Sequence, residues 1–125
     1  MGPHRIPALA LAADVVAVVV FAAVGRASHD ESGSVLGLIA TAAPFVVGLG
    51  VAWATPVVRA RPTTLRSGLI VIACAAVIGL LLRFAFTDRL PLTFVLVATI
   101  SLAVLLLGWR GLAALVAHRA GQQVR

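Results

Sequence analysis

The chain has 125 residues, is 62% hydrophobic with a mean hydropathy of +1.12, and carries only 11% charged residues. A water-soluble domain usually has about a quarter of its residues charged, so this composition excludes a soluble fold and makes the bilayer the natural solvent. The net charge is +6 and every basic residue is Arg. The arginines flank apolar runs, which is the pattern of membrane-end anchors rather than of a nucleic-acid-binding face. The absence of Lys beside abundant Ala, Val, Gly and Leu suggests a GC-rich genome; a bacterial source is the expectation.

The first apolar run covers residues 6–25 and is broken only by Asp14. As a helix it rises about 30 Å, one hydrocarbon thickness. His4 and Arg5 precede it as they would a signal peptide, but a mid-run acid and the lack of a clean A-x-A site argue against cleavage. A polar loop, residues 26–34, follows. Its Arg26, His29, Asp30 and Glu31 make a polar cluster. Adjacent positions seldom aim three ligands at one ion, so a solvated loop is favoured over a metal site.

The second run, 35–54, has no charge and contains Pro44, which frees a backbone carbonyl and is expected to kink the helix. Gly33, Gly37, Thr41, Pro44, Gly48 and Ala52 recur every three or four residues and so share one face. Small faces let membrane helices approach closely. Contact with a neighbour in the same chain is the simpler reading of this stripe; a homodimer seam is the sharper one.

The connection over 55–67 is basic and proline-bearing and is expected to be irregular. The third run is 68–84. It holds the single cysteine, Cys74, read as a small packing residue since one cysteine forms no internal disulfide. Arg83 lies in its last turn and is expected to reach along its stem to the headgroups. The fourth run is 91–110. The tail, 111–125, alternates apolar and basic residues and is expected to lie along the headgroups or to prolong the helix. The reading is therefore a single all-α domain over 1–125, a multi-pass four-transmembrane-helix bundle.

Arginine placement sets the orientation. Arg5, Arg59, Arg61, Arg66, Arg110, Arg119 and Arg125 fall on one side, against Arg26, Arg83 and Arg89 on the other. This bias predicts both termini in the cytoplasm. Trp53 and Trp109 then fall together at the cytoplasmic interface, where indole rings prefer to sit.

Asp14 is the costly residue. A carboxylate near the centre of a spanning helix costs about 2.5–3.5 kcal/mol on insertion scales. It should face the bundle interior and have a partner. Helical rise places it about 10 Å in from the side where Arg110 ends the fourth run, and Arg110 is the expected partner. Thr99, Ala103, Leu106 and Arg110 share a helix face, so Thr99 is expected to point the same way. The pair is either structural, fixing helix register, or part of a proton- or ligand-binding site. No nucleophile elbow, P-loop, zinc-binding HExxH or cysteine pair is present, and no enzyme activity, cofactor or metal is expected.

Several short motifs, in this order and spacing, carry a resemblance. They are Asp14 in the first helix, Gly25-Arg26 and Ser28-His29 at its end, and Ala43-Pro44-Phe45 in the second. Leu82-Arg83, Ala98-Thr99 and Gly108-Trp109-Arg110 complete the set. Together they resemble the domain of unknown function 3054 family across nearly the whole chain. The resemblance implies a small four-helix membrane protein and no particular activity.

Two functions compete. One is a non-enzymatic accessory or assembly component of the cytoplasmic membrane, partnered by the lipid bilayer and by a second copy or a larger membrane protein, with no nucleic acid. The other is a small dimeric proton-coupled transporter using Asp14. That plan is known from small multidrug transporters, by analogy only, and this chain has no Tyr to build an aromatic platform for cations.

Overall fold

A computed structural model describes residues 5–28, 35–88 and 91–124. They form five helices in order: α1 (Arg5–Ser28), α2 (Val35–Trp53), the single turn α3 (Pro56–Ala60), α4 (Leu65–Thr87) and α5 (Leu92–Val124). Four of these are long and apolar enough to cross a membrane, over Pro7–Gly25, Val35–Trp53, Leu65–Phe86 and Leu92–Arg119. The protein is an all-α, multi-pass membrane protein, a four-helix bundle.

The most extensive helix pair is α2 with α4, and its closeness is written in Gly48. A side chain there would lie 2.5 Å from the Cys74 carbonyl oxygen and 2.8 Å from the Ala75 Cα, so the two backbones touch. Pro44, Gly48 and Ala52 are buried along this seam, while Gly37 and Thr41 are half-buried. At Gly48 the small stripe of α2 serves a contact within the chain. Thr41 donates its hydroxyl to the Gly37 carbonyl at 2.9 Å, which satisfies it in an apolar setting. The helix runs unbroken on both sides of Pro44. Beside Pro44, the Phe45 ring fills the space left by Gly79 of α4, and Phe45 meets Phe21 of α1 edge to face at 5.0 Å. The core continues through Val18, Leu49, Val71, Leu102 and Leu106, all fully buried. The outer faces are apolar too: Leu36, Leu81, Ile100 and Val104 are exposed, as lipid-facing positions should be.

The connection between α2 and α4 is more ordered than its composition suggests. Pro56 opens α3 at a position where no N–H is needed, and Val58 is driven into the bundle end. Thr64 caps α4, accepting the Ser67 N–H at 3.2 Å, and Ser67, fully buried, donates its hydroxyl to the Arg61 carbonyl at 2.5 Å. These caps start α4 three residues before the apolar run does. At its far end Asp88 closes α4 in the left-handed conformation, φ 56°, its N–H bonded to the Phe84 carbonyl at 2.7 Å. Asp tolerates this region better than most residues.

The sequence reading left the extent of α5 open. This element continues as one helix of 33 residues to Val124, the second of the two readings given for the tail, in place of a segment lying along the headgroups. Residues 112–117 are Leu and Ala with a single Val, good helix formers in the main. Arg110 is itself a good helix former and does not interrupt the helix.

Candidate functional site: a closed carboxylate knot

Asp14 is completely buried. A carboxylate offers about four acceptor positions, and in a low-dielectric setting each needs a donor. Here every position is filled. One oxygen, Oδ1, accepts from Arg110 Nη1 at 2.7 Å and from Trp109 Nε1 at 2.7 Å. The other, Oδ2, accepts from Arg110 Nη2 at 2.8 Å and from Trp53 Nε1 at 2.9 Å. The arginine contact is the bidentate fork that suits a carboxylate best.

Arg110 is equally enclosed, 3% exposed. Its Nε donates to the Pro62 carbonyl at 2.9 Å, and Nη1 also donates to the Leu106 carbonyl at 3.1 Å. The guanidinium carbon lies 4.5 Å from the centre of the Trp109 ring, a cation–π distance. Among the described residues no buried side-chain nitrogen or oxygen lacks a partner. The knot joins α1, the end of α2, the α3–α4 turn and α5. A buried ion pair repays its desolvation only with this degree of hydrogen bonding.

Local folding explains how the residues meet. Trp53 ends α2 and Arg110 lies in α5, each eighteen residues from the start of its helix, so both stand about 27 Å along the bundle. Gly68 of α4 leaves the channel through which the Arg110 stem passes; a side chain there would lie 3.0 Å from Arg110 Cδ.

The other candidate residues do not gather here. Ala98, Leu102, Leu106 and Arg110 are the buried residues of α5, and Thr99 is half-buried. It is eleven residues, about 17 Å, from Arg110. Arg83 is half-buried, with its guanidinium 4.5 Å from the Phe94 ring centre, tying α4 to α5 at the opposite end. His29 and Gly33 lie outside the described residues, as does the side chain of Arg26. Among the described residues no group of three His, Cys, Asp or Glu could hold a metal ion.

Sequence reasoning missed the role of the tryptophans. Both were read as interface anchors; both indoles turn inward to Asp14. The signal was available in principle. Arginine alone leaves a buried carboxylate short of donors, and Trp53 and Trp109 carry the remaining side-chain N–H groups expected at that level.

The fold and this interior knot define a four-span membrane protein whose one costly acid is neutralised within the chain. The family model described as "Protein of unknown function (DUF3054)" matches residues 11–113, a stretch that contains every residue of the knot, and the chain belongs to that family. No curated protein and no solved structure matches the chain.

Proposed function

We propose that the protein is a non-enzymatic accessory or assembly component of a bacterial cytoplasmic membrane, with both termini on the cytoplasmic side, held to a larger membrane protein. The observation that carries this reading is the saturation of Asp14. A coupling carboxylate must gain and lose a proton during its cycle, so it needs room and an exchangeable partner. Asp14 has four donors at 2.7–2.9 Å and no exposed surface. That arrangement supports a structural role, fixing how α1, α2 and α5 register, and counts against transport through Asp14. The orientation rests on the arginine bias described above.

Purification from the native membrane in mild detergent, with the particle mass measured by light scattering, tests the reading. A larger protein present in fixed stoichiometry is expected. A self-contained dimer that, reconstituted in vesicles, dissipates a pH gradient through Asp14 and loses this in Asp14→Asn would overturn it.

A further inference from the structure

At the end of the bundle that holds the knot, the helices stop at different heights. Trp53 closes α2 at the level of Arg110, but α5 runs fourteen residues further, about 21 Å. It is accompanied there by the first turns of α1. Between them lies an open groove of about 580 Å³, lined by Leu9, Ala13, Thr63, Trp109, Leu112 and Val116 among others. That volume is in the range of small-ligand sites. The groove is apolar, yet it reaches past the level where α2 ends, toward the headgroups.

Its surroundings are cationic. Arg61 is two residues from Thr63 in the connecting turn, Arg66 follows in the first turn of α4, and both are exposed. Arg119 is exposed on α5 one turn beyond Val116, continuing the groove's own face. Asp14, the acid at this end, is buried and neutralised by Arg110. The other acids of the sequence, Asp30, Glu31 and Asp88, belong to the α1–α2 and α4–α5 connections.

We propose that this groove is a seat for one anionic phospholipid, an acyl chain lying against Leu9, Ala13, Leu112 and Val116 and the phosphate held by Arg61, Arg66 and Arg119. Charge complementarity selects this occupant. A second copy of the chain would bring the same arginines against these, whereas basic pockets between spanning helices suit anionic headgroups. A free phosphate would satisfy the arginines and leave the apolar groove empty. The seat does not depend on what larger protein the chain accompanies.

The test is thermal unfolding of the purified protein in a neutral detergent. The additives are phosphatidylglycerol, phosphatidylcholine with the same acyl chains, or inorganic phosphate. Phosphatidylglycerol is expected to raise the midpoint by several degrees and the other two to leave it near the lipid-free value. The double variant Arg61→Gln, Arg66→Gln alters exposed side chains only and should fold; it is expected to lose at least half of the phosphatidylglycerol shift. Val116→Trp, which fills the groove, is expected to lose it as well. Equal stabilisation by phosphatidylcholine would mean that the chains alone bind, and equal stabilisation by phosphate that the arginines alone do; either overturns the proposal. So does a phosphatidylglycerol shift that survives in both variants. Lipid-free dimers cross-linked through a cysteine at Val116 would assign the groove to a second copy and overturn it too.

Discussion

Gly68 and Arg110 share one space: the hydrogen on Gly68 is what allows the Arg110 stem to pass from α5 to Asp14. A side chain at Gly68 would meet Leu107 Cδ2 at 2.8 Å and Arg110 Cδ at 3.0 Å. Gly68→Val is therefore expected to destabilise by about 1–3 kcal/mol, the usual cost of overpacking. The cost should shrink when Arg110 is replaced by Ala, because the space is then vacant. Denaturant unfolding in detergent reads both, and an unchanged cost in the Arg110→Ala background would refute the shared space.

Breaking the ion pair from one side should be worse than removing it. Arg110→Ala leaves Asp14 with two indoles and no counter-charge, a loss of about 3–5 kcal/mol by comparison with other buried pairs. Adding Asp14→Asn to it should recover part of that loss. A double-mutant cycle measures this directly, and additive effects would contradict the contact.

The indoles should matter as donors rather than as rings. Trp53→Phe and Trp109→Phe keep most of the apolar area but remove a hydrogen bond to a charged group, worth about 1.5–3 kcal/mol. Trp109→Phe should cost more, since the ring also faces the Arg110 guanidinium. In Asp14→Asn, tryptophan fluorescence should change while both rings remain. Phe variants as stable as the parent would return the two residues to the role of interface anchors.

The α2–α4 seam offers a matched pair. Gly48→Leu must separate two backbones and should lower the unfolding midpoint strongly, whereas Gly50→Leu meets nothing within 4 Å and should be near neutral. Comparable losses from both would mean that helix propensity, and not close approach, sets the effect.

Orientation is open to chemical labelling. In a Cys74→Ala background, a cysteine introduced at Ser32 should react with an impermeant reagent only from outside intact cells, and one introduced at Thr63 only after the membrane is opened. The reverse pattern would place the termini outside.

What was legible in the sequence was whatever hydrophobic length and charge cost encode. Four apolar runs gave four helices, because in lipid every backbone polar group must be satisfied within the segment. Asp14 pointed to Arg110 because an acid at that depth demands a counter-charge. Less legible was anything set by hydrogen bonds across elements. The irregular reading of 55–67 overlooked Thr64 and Ser67 as caps. The extent of α5 was left open for a related reason. Counting an apolar run stops at a charge, and Arg110 counts as an end only if it faces water.

The knot also sets a timetable for biosynthesis. Asp14 and Arg110 stand 96 residues apart. At bacterial to eukaryotic elongation rates, the partner emerges roughly 5–20 s after the acid. During that interval α1 is a first helix with an unanswered charge, poorly committed to its place in the lipid. Only α5 brings Arg110 and Trp109. A chain truncated before Arg110 would retain Asp14 in the membrane with the Trp53 indole and no counter-charge.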